Sequence, residues 1–337
     1  MTGLAGRIIR DAAELEALAP RWWDLWRRCP AATPFQSPAW LLPWWRTFAP
    51  GDLVAMAVER GDALVGLAPF YREDGTEGCR LLPLGISVSD YHDVLLVPTA
   101  ASAAWEVIVE LARQEPGWEL WEFEELMPGA AALGLPCPSR WQERIERQSA
   151  CPTLAFGSGD LATLLPKSKR RALNLARNRA ARRGPLAIVT ADADSIGESV
   201  DQLLRLHSSR WESRGQTGVL ETDPVRRFHH AAARALAQAG LLRFYTLAFD
   251  HKVVAAYYGF RHRERAFFYL SGFDPAFQFE SPGVLLIAYG MEQALREGAR
   301  EFHFLRGQEA YKYGWGALER WNVRRSFRRR GARHVAA

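Results

Sequence analysis

The chain has 337 residues, 48% hydrophobic and 24% charged, which is long enough for two domains and excludes wholesale disorder. No apolar run approaches the roughly 18 residues of a membrane-spanning helix, and Cys29, Cys79, Cys137 and Cys151 fit neither a metal-ligand spacing nor a disulfide scaffold. The formal charge of +5 is uneven: residues 161–191 hold eight basic side chains and no acid, and residues 320–337 hold seven arginines and no acid, so the remainder is net acidic.

The start, MTGLAGRIIRD, lacks a basic segment followed by an apolar one, so no signal peptide is expected and the cytoplasm is the expected location. Trp22 and Trp26, then Trp40 and Trp44, are i,i+4 pairs, each sharing a helix face, with Trp23 and Trp45 beside them. Such a stripe reads as core or domain interface ahead of an acceptor groove or a membrane contact. VAMAVERGDALVGLAPF (54–70) reads as two strands joined by a Gly-Asp turn. Residues 102–126 read as a helix, a break at Gly117 and an alternating strand.

The same order then recurs. A basic helix over 161–183 opens the second half, as an anion-binding or merely solvated face. Helices follow over 197–214, with Leu203, Leu204, Leu206 and Trp211 at helical spacing, and over 222–239. The hairpin 242–260 turns at Asp250-His251, and 282–307 repeats helix, glycine break (Gly298) and strand. Two mixed β-sheets flanked by helices are therefore expected, an α/β (α+β) architecture with units at 1–155 and 156–337.

Familiar catalytic signatures are missing: no G-x-G-x-x-G, P-loop, G-x-S-x-G or H-E-x-x-H occurs. Adjacent His229 and His230 diverge on a helix, so no metal site is expected. Two stretches remain. In 266–298 a strand ends at Gly272, a loop carries Asp274-Pro275, and a helix opens with Ser281 as N-cap, Pro282 and Gly283. Free N–H groups there suit a phosphate, although an ordinary capped helix would look the same. FLRGQEAYKYGW (304–315) crowds Glu309, Tyr311, Lys312, Tyr313 and Trp315 together. Lys312 is one of four lysines, with Lys167, Lys169 and Lys252, in an arginine-rich chain. It reads either as a compact cation with a movable pKa or as a stem packed between rings.

The run FDPAF…SPG…FLRGQEAYKYGW, with SSRWESRG (208–215) upstream, resembles the GNAT superfamily acetyltransferases associated with cellulose and exopolysaccharide biosynthesis. These are related to the FemABX-type double-GNAT aminoacyltransferases. The resemblance covers about residues 150–330 and implies a tandem GNAT fold binding acetyl-CoA, or another acyl-CoA, in the C-terminal unit. Strands 266–272 and 300–306 would splay around pantetheine along Leu270, Gly272 and Phe273. The pyrophosphate would rest on Ser281, Gly283 and Val284, with Arg306 pairing a phosphate or fixing the strand end. Glu309 or His303 would act as base, and Tyr311 or Lys312 as acid or oxyanion partner. Trp211, Arg214, Tyr313 and Trp315 would face the acceptor. Two departures stand out: QFESPG is poorer in glycine than the usual GNAT loop, and His303 stands where relatives often carry Asp.

The implied activity is N-acylation of an amine, on a sugar nucleotide or lipid-linked sugar, with peripheral contact to a membrane polysaccharide synthase. The alternatives are aminoacyl transfer from tRNA, using the basic helix, and a catalytically silent ligand-binding module.

Overall fold

The structure is a computed structural model that describes residues 3–75, 78–157, 159–212 and 222–329, with only the backbone for 209–212. The chain forms two compact units, residues 1–149 with 321–337, and residues 150–320.

The first unit runs β1 (Ala5–Ile9), α1 (Ala12–Ala17), α2 (Ala19–Arg28), α3 (Pro38–Phe48), β2 (Asp52–Arg60), β3 (Ala63–Gly75), β4 (Gly78–Pro83), β5 (Leu95–Leu96), α4 (Ala101–Gln114), β6 (Leu120–Leu126) and β7 (Trp141–Ala150). The second runs β8 (Thr153–Ala155), α5 (Leu161–Leu164), α6 (Lys167–Arg183), β9 (Leu186–Thr190), α7 (Ile196–Glu212), α8 (Asp223–Gln238), β10 (Leu242–Phe249), β11 (Lys252–His262), β12 (Arg265–Phe273), α9 (Pro282–Arg296), β13 (Glu301–His303) and α10 (Ala310–Tyr313). The chain then returns to the first sheet as β14 (Trp321–Arg329).

The first sheet has the order β1-β2-β3-β4-β6-β14-β7, with β5 on β3; the second has the order β8-β13-β12-β11-β10-β9. Both are mixed. In each, an antiparallel hairpin leads through a third strand to a helix and then to a strand parallel to that third one: β4 with β6, and β12 with β13. Gly117 and Gly298 sit at matching points before those last strands, with φ of 83° and 77°, a region that favours glycine. The internal repeat read from the sequence is thus a repeat of topology.

One expectation is corrected. The stretch 156–337 does not stay together, because 321–329 pairs antiparallel with β6 of the first sheet. Phe327 packs there among Trp105, Trp121, Phe123 and Trp141, and the polar residues of the strand are satisfied over long range. Buried Asn322 donates to the Asp90 carbonyl and to Glu125, and buried Arg325 pairs with Glu143 and donates to the Ala132 and Leu135 carbonyls. Four of the seven arginines counted in residues 320–337 are therefore strand residues.

The tryptophan stripe is core: Trp22, Trp26, Trp40, Trp44 and Trp45 are buried. The indoles of the first three donate to the Gln36 carbonyl, the Thr33 carbonyl and Ser89 Oγ, so their one polar atom is satisfied. In the second unit α6 and α9 pack on one face of the sheet around Phe268, Phe302, Phe304, Leu286 and Met291, and α7 crosses the other face against β11 and β12. No helix among the described residues is long and apolar enough to cross a membrane.

Candidate active site at a strand divergence

β12 and β13 run side by side for only three residue pairs, Arg265–Glu301, Ala266–Phe302 and Phe267–His303. Beyond them β12 continues to Phe273 on β11 alone, so among the described residues the 268–273 backbone has no strand on its other edge. A bulge at Tyr269, between the pairs Gly259–Phe268 and Tyr258–Leu270, re-aims the strand there. β13 leaves because the chain after it is drawn the other way. The Phe304 N–H donates to the Pro152 carbonyl and the Gly307 N–H to the Ala150 carbonyl, while Leu305 (φ 60°) and Gly307 (φ 110°) turn left-handed.

Side chains alternate on β12, so the residues named from sequence divide between its faces. Ser271 and Phe273 line a cavity of about 240 Å3. Gly272 faces α7 instead, where an added Cβ would lie 2.8 Å from the His207 nitrogen, and Leu270 shares that face. Gly272 thus serves close helix–strand packing and brings only its backbone to the notch.

The cavity opens onto the start of α9, at Ser281, Pro282, Gly283 and Val284. Ser281 occupies the N-cap position but adopts φ 55°, ψ 51°, so its hydroxyl makes no capping bond to the helix. Its carbonyl accepts from the Val284 and Leu285 N–H groups. Pro282 has no N–H, and the Gly283 N–H meets no acceptor among the described residues. The positive end of α9 therefore reaches the cavity with a donor to spare.

Lys169 of α6, Tyr311 of α10 and buried Trp315 close the opposite wall. The Lys169 ammonium sits 4.5 Å from the Trp315 ring centroid, and burial lowers its pKa. It has no acidic partner among the described residues. Sequence reading passed over Lys169 and Ser271: the first is hidden in a run of basic residues, and the second lies between two residues that were singled out.

Lys312 corrects the sequence reading most. It is 3% exposed and does not line the cavity. Its ammonium donates to three successive carbonyls, Leu305 (3.3 Å), Arg306 (2.5 Å) and Gly307 (3.3 Å), and meets Glu309 at 2.9 Å. It is neither a free cation nor a stem wedged between Tyr311 and Tyr313; it fastens the turn by which β13 departs. Glu309 is engaged by that ion pair, and Arg306 lends the turn its carbonyl. The Tyr313 hydroxyl donates to Glu319 at 2.7 Å, away from the cavity lining. The side chain of Trp211 and the whole of Arg214 lie outside the described residues.

His303 sits at the closed end of the notch, buried, its ring 5.0 Å from that of Phe267. Burial lowers its pKa while Glu301, 3.2 Å away, opposes that shift. His303 and Arg320 together hold the Glu301 carboxyl down to about 2. On the α7–α8 side, His229 is buried against Tyr258 and Tyr269, and burial pushes it down to about 3, whereas His230 points outward to Asp201.

His229 has a consequence for stability. The unfolded chain takes up this proton near the ordinary value of 6.5, and the folded chain only near 3. The associated stability is therefore whole above about 6.5 and drains as pH falls. Between pH 7 and 5 the wild type should lose about 2 kcal/mol more than His229→Gln, at roughly 1.4 kcal/mol per pH unit per proton. Denaturant midpoints at the two pH values check this, and parallel losses in both proteins would reject it.

Residues 167–313, from the first residue of α6 to the last of α10, match the family model described as the acetyltransferase (GNAT) domain. No curated protein sequence matches the chain significantly. Among solved structures the fold is similar to FemX, with TM-score 0.63 and 12% identity, covering 95% of this chain and 96% of that one. It is also similar to a domain described as the C-terminal part of a lysylphosphatidylglycerol synthetase from Agrobacterium fabrum, with TM-score 0.57 and 15% identity, covering 96% and 93%. L-PGS from Bacillus licheniformis gives TM-score 0.57 and 12% identity, covering 96% and 94%. At such identities the likeness is one of fold. The notch, the α9 start and α10 all fall inside the matched residues, so the chain carries an acetyltransferase (GNAT) domain there and is an acyltransferase.

Proposed function

We propose that the protein transfers an acyl group, acetyl first among the candidates, from coenzyme A to an amine acceptor. The observation that carries this reading is the divergence of β12 from β13 onto the uncapped start of α9. The 268–273 backbone, with no strand beside it on that edge among the described residues, suits the amides of a pantetheine arm, and the Gly283 N–H with the Lys169 ammonium suits a phosphate. At about 240 Å3 the cavity is smaller than the roughly 300–1,000 Å3 of sites that enclose a whole ligand, so it takes the arm and leaves the nucleoside at the surface.

The amine attacks the thioester carbonyl, the C–S bond breaks, and the sulfur must gain a proton while the nitrogen loses one. In this reading Tyr311, on the cavity wall, protonates the sulfur. In the same reading His303, buried at the closed end of the notch rather than on the cavity wall, takes the proton from nitrogen. Lys312 positions both by fixing the turn between them. An amino sugar, nucleotide- or lipid-linked, is the acceptor suggested by the sequence resemblance. The rival donor is an aminoacyl-tRNA, favoured by the likeness to FemX.

Acetyl-CoA should raise the melting temperature while tRNA leaves it unchanged. Tyr311→Phe should keep that shift and slow single-turnover thiol release about a hundredfold, the low end of general acid contributions. Thiol release at the wild-type rate would remove Tyr311 from the mechanism. No release with any amine would leave a ligand-binding module.

A further inference from the structure

Helix α6 presents two sides with different electrostatics. Along its inner side two cations meet carboxylates, Arg177 with Glu292 at 2.7 Å and Arg183 with Glu280 at 3.5 Å, while Lys169 enters the cavity. Along its outer side, Lys167, Arg171 and Arg182 are exposed and meet no carboxylate among the described residues. Lys167, Arg171, Leu175, Arg179 and Arg182 follow one another at spacings of three or four, so they form one continuous stripe. The segment from 161 to 191 holds no acidic residue.

Two features of this stripe are wasteful for a face meant only for water. Leu175, at its middle, is 49% exposed, although a polar residue there would serve solubility better. Phe279, from the loop before α9, is 65% exposed beside the same stripe. It is held there by Arg179, whose guanidinium lies 4.1 Å from the ring centroid and donates to the Phe279 carbonyl at 3.0 Å.

We infer that the outer face of α6, with Leu175 and Phe279, is a docking surface for an anionic lipid bilayer. Unpaired cations flanking exposed apolar side chains on a helix fit a headgroup layer, where the cations meet lipid phosphates and the apolar groups enter the acyl boundary. A nucleic acid backbone would use the cations equally well but would leave Leu175 against a phosphate chain, which makes the bilayer the better match. The same helix carries Lys169 into the cavity, so docking would bring the site to the membrane surface, within reach of an acceptor held there. The inference does not depend on the identity of the acyl donor.

The test is co-sedimentation of the full chain with phosphatidylcholine vesicles, with and without phosphatidylglycerol. Binding is expected only to the anionic vesicles, weakening as salt rises. Arg171→Glu reverses one charge and should lower partitioning about 25-fold, at roughly fivefold per unit charge near the surface. Leu175→Gln leaves the charge alone and should lower it about tenfold through lost apolar burial. Phe279→Ser, on a separate element, should act in the same direction. All three positions are exposed, and far-UV circular dichroism confirms that the variants are folded. If Leu175→Gln and Phe279→Ser both partition like the wild type, the attraction is only electrostatic and the docking face is wrong. Salt-steep binding to tRNA without any binding to vesicles would also overturn it.

Discussion

Lys312→Met should lower the melting temperature of the second unit by about 6–12 °C and impair thiol release at the same time. Lys312 is buried, and its ammonium is the shared donor for the Leu305, Arg306 and Gly307 carbonyls. A buried acceptor left without a donor costs about 1–3 kcal/mol. Arg306 and Gly307 are partly reached by water, so a total near 3 kcal/mol is expected rather than three full penalties. For a unit of this size, each kcal/mol shifts melting by roughly 2–4 °C. The ion pair to Glu309 adds little, because that carboxylate is 56% exposed. Without the lysine, Leu305 has less reason to hold a left-handed backbone, which costs a non-glycine residue about 1–2 kcal/mol. The turn relaxes, and Tyr311 on the following helix moves with it.

Lys312→Arg should also destabilise, since a planar fork cannot aim at three carbonyls in series as a tetrahedral ammonium does. Acetyl-CoA should still bind both variants, with a smaller melting shift. Differential scanning calorimetry with single-turnover kinetics reads both quantities. Normal melting with abolished turnover would show that Lys312 acts on the reacting atoms, as its isolation in the sequence first suggests.

That contrast marks what a sequence can reveal about a side chain. The scarcity of lysine drew attention to the right residue but not to its partners. Those partners are carbonyls that lose their strand only because β13 stops at His303, a fact of tertiary geometry. Lys169 illustrates the opposite failure, a cavity residue concealed among the seven other basic residues of 161–191. The hairpins at β2–β3 and β10–β11 were legible because their residues are mostly apolar and bounded by turn residues. The doubled order of hairpin, helix and strand was legible because each copy keeps its glycine break. β14 was not: WNVRRSFRR reads as a basic tail, since the groups that satisfy Asn322 and Arg325 lie about 180 or more residues away in sequence. The side of β12 that each residue faces was likewise lost at the Tyr269 bulge, which no local rule announces.

Gly283→Asp should abolish acetyl-CoA binding while leaving the fold intact. An added Cβ at this position meets only Phe273 Cδ1, at 3.6 Å, an ordinary contact, and the backbone there is not left-handed. A carboxylate in the first turn of α9 also favours the helix dipole, so the variant should melt no lower than the wild type. The same carboxylate would occupy the positive helix end and repel a phosphate. In the wild type, acetyl-CoA at a hundred times its Kd should stabilise the native state by about 2.7 kcal/mol, or roughly 5–10 °C for a unit of this size. Gly283→Asp should show no shift, and Gly283→Ala, which adds only the methyl, should keep most of it. Isothermal titration of all three proteins measures the same loss directly. Full binding by Gly283→Asp would move the donor away from the α9 start, and absence of any shift in the wild type with every acyl-CoA tried would end the coenzyme reading and leave aminoacyl-tRNA as the donor to test.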